Sequence, residues 1–188
     1  TTGSDGRAAF TNLSIGGTVG ARTLSFSTAG LTPANANVNV TFGPAAQIAI
    51  DTAPPATAQN GVPFSTRPVA RVKDAYGNDV AGDTVTVSIA SGGGTLSGTT
   101  TAVTDAQGRA PFPNLAITGT TGTRTLRFAT AGGSLSVVSG NIELLAGPPT
   151  QIEMVDQPPS STPNGATFSA KVRVRDQSAN TVPGIPVT

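Results

Sequence analysis

GRAAFTNLSI, residues 6–15, returns as GRAPFPNLAI at residues 108–117, and RTLSFSTAG, residues 22–30, returns as RTLRFATAG at residues 124–132. Both pairs are separated by 102 residues. Two further pairs repeat at nearly the same distance: GPAAQI at 43–48 with GPPTQI at 147–152, and VKDAYGN at 72–78 with VRDQSAN at 174–180. Similarity at one fixed period indicates a tandem array of equivalent structural units.

The repeat divides the 188-residue chain into three parts. Residues 44–146 form one complete unit, residues 1–43 match the C-terminal half of a unit, and residues 147–188 match the N-terminal half. The two outer parts together lack only the counterpart of residues 87–100. Two interpretations stay open: an excerpt from a longer array, or an assembly in which the tail of one subunit completes a module with the head of the next.

Within the complete unit, apolar residues alternate with polar ones, as in TVTVSIA at residues 84–90. This period of two predicts strands with one buried face, and Gly- and Asp-containing turns separate them. No segment has the 3.6-residue period of a helix. The predicted inner positions are Ile48, Ile50, Phe64, Val72, Val85, Val87, Ile89, Leu96, Val103, Phe112, Leu115, Ile117, Leu126, Phe128, Ile142 and Leu144.

About 100 residues with about seven short antiparallel strands is the size and rhythm of an immunoglobulin-like module. The predicted fold class is therefore all-β: an immunoglobulin-like β-sandwich in tandem repeats. The chain has no Cys and no Trp, so the disulfide and core Trp of antibody domains are excluded.

The composition excludes most enzyme chemistry. With no Cys and no His, the chain has no thiol nucleophile, imidazole base or imidazole metal ligand. The formal net charge of +1 provides no basic field for nucleic acid, and the apolar runs are too short for a membrane helix. We therefore predict no enzyme, no catalytic, cofactor-binding or metal-binding residues, no nucleic-acid partner and no membrane insertion in this segment.

VKDAYGNDVAG at residues 72–82, followed by SGGGTL at 91–96 and TDAQGRA at 104–110, resembles the bacterial immunoglobulin-like domains of the invasin and intimin type. The resemblance implies tandem modules that act as stalks in surface adhesins and filaments, without cofactor or catalytic residues. The third copy departs from the motif because Ala179 stands in the place of Gly77. A Cβ penalises a left-handed residue, which leaves the turn type of that copy open.

Acidic residues concentrate in the turns, and they allow two interpretations. Turn-capping carboxylates are favoured, because the spacing does not match a calcium-binding loop. Calcium bound at the linker between modules is the alternative. The residues concerned are Asp74, Asn78, Asp79, Asp83 and Asp105.

The arginine pairs Arg7/Arg109 and Arg22/Arg124 recur at equivalent places. We interpret them as covering strand ends and protecting sheet edges, with anion or sugar contacts as the alternative. Tyr76, the only tyrosine, lies in a turn where it could stack on a sugar ring. The sequons at Asn12 and Asn39 are taken as incidental.

Proline marks the connections. Pro54-Pro55 and Pro158-Pro159 fit an edge strand or a crossover between sheets, because proline lacks a donor. Gly43-Pro44 and Gly147-Pro148-Pro149 mark the module joins and favour a semi-rigid rod.

The sequence therefore predicts a non-enzymatic structural segment of a bacterial extracellular or cell-surface adhesin or filament. Its partners would be neighbouring modules of the same chain or of adjacent subunits, with head-to-tail completion between subunits as one form. The alternative function is a module whose loop tips bind a glycan, a host receptor or another cell-surface ligand.

Overall fold

The computed structural model describes all of residues 1–188. It contains fifteen β-strands, one three-residue 3-10 turn at Ala131–Gly133, and no α-helix. None of its elements is a helix with the length and apolarity to cross a membrane. The strands are β1 (Gly20–Phe26), β2 (Ala34–Val40), β3 (Ala45–Thr52), β4 (Thr57–Gln59), β5 (Val69–Asp74), β6 (Thr84–Ser91), β7 (Thr95–Ser97), β8 (Thr101–Val103), β9 (Arg109–Pro111), β10 (Ala116–Thr118), β11 (Gly122–Thr130), β12 (Ser136–Val138), β13 (Ile142–Leu145), β14 (Gln151–Asp156) and β15 (Lys171–Arg175).

Residues 44–146 form a two-layer sandwich. One layer has the strand order β4-β13-β11-β6-β8, with β12 also paired to β11, and the other has the order β3-β5-β9. A separate β7-β10 pair lies beside them. The predicted all-β sandwich is confirmed. Its strands β3–β13 outnumber the expected seven because several of them are only three residues long.

The core lies between the two layers. Its fourteen-residue cluster includes Phe112 and Phe128, both 0% exposed, with ring centroids 5.3 Å apart. Ten of the predicted inner residues belong to this cluster, and Ile48, Ile50, Phe64, Ile89 and Leu96 pack against it.

Val103 is the exception, because it is 58% exposed. In the short strand β8 the inward position belongs to its neighbour Ala102, which packs against the core. Because successive residues of a strand face opposite sides, the prediction for Val103 is wrong by one residue.

Pro54-Pro55 lies between β3 and β4, which belong to different layers. This confirms that the proline pair marks a crossover between sheets. β4 then pairs with β13 in parallel, with Ala58 opposite Leu144.

The outer parts of the chain each contain one two-stranded antiparallel sheet. β1 pairs with β2 in residues 1–43, and β14 pairs with β15 in residues 147–188. Their apolar faces are open: Phe10 is 59% and Leu13 is 62% exposed, whereas the equivalent Phe112 and Leu115 are fully buried.

Candidate functional site at the two joins

Two turns, residues 74–78 and 176–180, lie at equivalent positions of the repeat, and we call each a clamp turn. Each one contacts the segment that precedes its own unit. The contacts of the turn at 74–78 with residues 16–43 form the first join. The contacts of the turn at 176–180 with residues 60–147 form the second join.

The carboxylate of Asp74 links its own turn to the preceding segment. Oδ1 accepts the backbone N–H groups of Tyr76 and Asn78, both at 2.9 Å, which closes the turn. Oδ2 accepts the backbone N–H of Gly43 at 3.0 Å, across the join. Asp74 is therefore the turn cap expected from the sequence, and it also reaches the neighbouring module.

Asp176 repeats this arrangement at the second join. Its Oδ1 accepts the N–H of Ser178 at 2.8 Å and of Asn180 at 2.9 Å, and its Oδ2 accepts the N–H of Gly147 at 2.8 Å. Gly147 approaches so closely that a Cβ there would overlap the carbonyl oxygen of Asn60. The glycine of each Gly-Pro sequence therefore supplies a donor to the clamp.

The asparagines of the clamp turns add two further bonds across each join. At the first join the Asn78 amide donates to the carbonyl of Gly17 at 2.9 Å and accepts the N–H of Val19 at 3.1 Å. At the second join the Asn180 amide donates to Gly119 and accepts from Thr121, both at 2.9 Å. Because a side-chain amide carries both a donor and an acceptor, it binds the preceding loop as another strand would.

Asn60 is a further member of the second join. It is fully buried, and its amide donates to Oδ2 of Asp176 at 2.8 Å. Its Oδ1 accepts the N–H of Gly119 at 2.8 Å and the hydroxyl of Ser178 at 3.3 Å. Residues 1–43 contain no counterpart of Asn60, because they correspond to the later half of a unit.

The hydrogen bonds stabilise both clamp carboxylates in the ionised form. The side chain of Asn78, helped by the backbone N–H groups, lowers the pKa of Asp74 to about 2. For Asp176, burial opposes ionisation, but the bonds from Asn180, Gly147 and Asn60 outweigh it, and its pKa also lies below the usual range. Each join therefore contains a buried, fully bonded carboxylate.

The two clamp turns have the same backbone shape. Gly77 has φ 81° and Ala179 has φ 62°, so both residues are left-handed. The turn type that the sequence left open is thus retained in the third copy, and Ala179 bears the steric cost of its Cβ.

Tyr76 lies at the tip of the first clamp turn and faces Gly16 of the preceding segment. Its place in a turn was predicted, but its position at a join was not. The ring is 63% exposed and lies beside the backbone of the neighbour.

The repeated arginines occupy two kinds of place. Arg124 is buried and donates to the carbonyls of Thr120 and Thr123, within its own loop. Arg22 makes the equivalent bonds to Thr18 and Ala21. These residues hold the loop that the clamp asparagine binds, so they organise the join from the other side.

Arg109 on β9 pairs with Asp51 on β3, two strands away in the same sheet, whereas Arg7 is exposed and lies 3.9 Å from Asp5. Together with the burial of Arg124, this supports the structural interpretation of the arginines.

The remaining acidic turn residues have local partners. Asp105 caps its turn by accepting the N–H groups of Gln107 and Arg109, both at 2.9 Å. Asp79 receives two bonds from Arg71, at 2.8 and 2.9 Å, which lower its pKa. The backbone of Asp83 is bonded to Thr104. The structure contains no group of three or more carboxylates that could hold a metal ion.

Sequence reasoning identified Asp74 and Asn78 as turn residues but missed their contacts across the join. One signal was available: the pattern Asp-x-x-x-Asn recurs in step with the Gly-Pro pairs at the joins. Asn60 carried no such signal, because its partner lies 116 residues away.

No protein-family model matches the chain, and no curated protein matches it. Among solved structures it is similar to domains 4–9 of the surface layer protein SbsC, with 22% identity and a TM-score of 0.42 over 89% of this chain and 25% of that one. It is also similar to the S-layer protein rSbsC(31-844), with 19% identity and a TM-score of 0.42 over 89% of this chain and 21% of that one. The chain thus spans a quarter or less of the length of these structures.

Proposed function

We propose that the chain is a segment of a non-enzymatic, extracellular structural protein in which immunoglobulin-like modules are coupled into a stiff stalk. The observation that carries the proposal is the repetition of one clamp at both joins. At Asp74/Asn78 and at Asp176/Asn180 alike, the Asn binds the backbone of the preceding module and the Asp binds the backbone of the glycine at the boundary.

The bonding pattern suits mechanical coupling. At each join the asparagine makes two bonds to the backbone of the preceding segment, and the aspartate accepts one bond from the glycine at the boundary between the units. Hydrogen bonds to a charged group stabilise more than neutral ones, and the carboxylates are shielded from water. Proline next to the donor glycine reduces the freedom of the connection.

The resemblance to modules of the invasin and intimin type supports a bacterial cell-surface location, as part of an adhesin or a filament. The absence of cysteine suits a secreted bacterial chain that is exported unfolded. In this proposal the work of each module is to hold the next one at a fixed angle and distance.

Small-angle X-ray scattering of the 188-residue chain tests the coupling. We expect the profile of a single stiff particle, and we expect the double variant Asp74→Ala/Asp176→Ala to give a larger radius of gyration and a flexible profile. Asp105→Ala is the matched control, because Asp105 caps a turn without crossing a join. A flexible profile for the unmodified chain, or an unchanged profile for the double variant, would contradict the stalk.

A head-to-tail assembly between copies is favoured by a specific observation. The apolar faces of residues 1–43 and 147–188 correspond to the two layers that close on each other in residues 44–146. The occupant of each face would be the complementary part of a second copy, and Phe10 would then be buried as Phe112 is.

Sedimentation velocity over a range of concentrations tests this assembly. We expect growing oligomers, and we expect Phe10→Arg to abolish them. Ser25→Arg is the control, because the equivalent residue of the complete unit is Arg127. A monomer at every concentration would rule the assembly out, leaving the coupling within the chain unaffected.

A further inference from the structure

One difference between the two joins lies at the tip of the clamp turn. At the first join Tyr76, at the tip of the clamp turn, faces Gly16. At the second join the equivalent residues are Ser178 and Thr118. The aspartate and asparagine bonds are the same at both joins, whereas this pair changes from one join to the other.

The Tyr76 ring lies where a side chain at position 16 would begin. A Cβ built on Gly16 would lie 2.6 Å from Oη, 2.8 Å from Cζ and 2.9 Å from Cε1 of the ring. Real Cβ atoms do not approach other heavy atoms so closely. A threonine at position 16 would therefore force the ring away from the join.

The second join uses the corresponding space differently. Thr118 carries the side chain that Gly16 lacks, and the small tip residue Ser178 donates its hydroxyl to the buried Asn60 at 3.3 Å. A tyrosine at position 178 would lose that bond and would meet Thr118. Each tip residue therefore fits its own join: Tyr76 lies over Gly16, and Ser178 bonds to Asn60.

We propose that the tip residue of the clamp turn and the facing residue of the preceding module form a matched pair that decides which modules can be neighbours. A tyrosine at the tip requires a glycine at the facing position, as in Tyr76 and Gly16. A serine at the tip accepts a threonine at the facing position, as in Ser178 and Thr118. The partner is another module of the same repeat. The pairing acts as a rule of order along the stalk. This inference rests on the coupling proposed above.

Exchanging the pair at the second join tests the rule. Trypsin cleavage after Lys171, Arg173 and Arg175 reports opening of the segment that the join holds. We expect Ser178→Tyr to raise the cleavage rate above that of Ser178→Ala, which loses the same bond to Asn60 without adding bulk. We expect Thr118→Gly added to Ser178→Tyr to lower the rate to that of Ser178→Ala. A double variant that is cleaved as fast as Ser178→Tyr would overturn the rule.

The first join provides an independent measurement that does not depend on cleavage. Tyr76 is the only tyrosine and the chain has no tryptophan, so intrinsic fluorescence reports this ring alone. We expect Gly16→Thr to raise acrylamide quenching to the value of a free tyrosine peptide. Gly140→Thr, at an open position without a left-handed φ, is the control. Unchanged quenching in Gly16→Thr would overturn the inference.

The same assay separates failure of the rule from failure of the coupling. If Asp176→Ala raises cleavage while the exchanged pair shows no rescue, only the rule of order is lost. If Asp176→Ala has no effect, the coupling itself is wrong, and the rule falls with it.

Discussion

The two joins share one clamp but differ in what surrounds it. Asp74 and Asp176 make equivalent bonds to Gly43 and Gly147. At the second join the buried amide of Asn60 also bonds to Asp176; the counterpart of Asn60 for the first join belongs to the half of a unit that residues 1–43 do not include. The comparison shows that the Asp–Asn pair makes the same bonds in two different surroundings.

Removing the clamp carboxylate is the most severe test of this comparison. Asp176→Ala leaves the N–H of Gly147 and the amide of Asn60 without their acceptor in a buried place. We expect the second join to weaken by about 3 kcal/mol, and tryptic cleavage in β15 to accelerate about a hundredfold. Asp74→Ala should weaken the first join less, since fewer donors lose their partner. Equal effects of the two variants would contradict the added role of Asn60.

Acidification should weaken both joins. The effect should be smaller than that of the Asp→Ala substitutions, because a protonated carboxyl still accepts hydrogen bonds. The pKa of Asp74 is lowered to about 2, and that of Asp176 is lowered as well. A lowered folded-state pKa means that the stabilisation is complete above the unfolded value near 4 and is lost as the pH falls through the folded value. We expect no change from about pH 7 to about pH 5, and a decline between about pH 4 and about pH 2.

Thermal melting of the chain against pH measures this decline. The double variant Asp74→Asn/Asp176→Asn is the reference, because it replaces both carboxylates with amide groups of the same size that do not titrate. The difference in stability between the two proteins should shrink below about pH 4. A difference that grows on acidification would show that the sign is wrong.

Asn60→Ala should weaken the second join. It removes the donor to Asp176 and leaves the N–H of Gly119 without an acceptor, at an expected cost of about 1–2 kcal/mol. Hydrogen exchange of the Gly119 amide measures the loss. The equivalent and exposed Asn164 provides the control, and Asn164→Ala should leave that amide protected.

The smallest expected effects come from exchanging alanine and glycine at the left-handed position of each clamp turn, and the two exchanges should have opposite signs. Ala179→Gly relieves a left-handed alanine and should stabilise the second clamp turn by about 0.5–1 kcal/mol, after the entropy of the added glycine is deducted. Gly77→Ala places a Cβ at φ 81° and should destabilise the first turn by about 0.5–1 kcal/mol, after the entropy that the alanine saves is deducted. Urea denaturation of both variants checks the signs. Effects of the same sign would show that the turns differ in shape.

Local patterns predicted the fold well, because burial follows the alternation of residues along a strand. Val85, Val87 and Phe112 are buried as predicted. The pattern failed at Val103, since a three-residue edge strand offers too few positions to fix which face turns inward. At the joins, the turn pattern predicted that Asp74 caps its own turn. It did not predict that the second carboxylate oxygen accepts a bond from Gly43, because Gly43 lies 31 residues earlier.

The sequence by itself determined the repeat, because matching segments can be compared directly. It also determined the sandwich and the turns, because the strand pattern and the turn residues are local features of the chain. The tertiary structure alone decided that Asp74 and Asp176 hold neighbouring modules, that Asn60 joins the second clamp, and that Tyr76 faces Gly16. Those contacts depend on how two folded units meet. Their partners are separated by 29 to 116 residues, a distance over which local preferences carry no information.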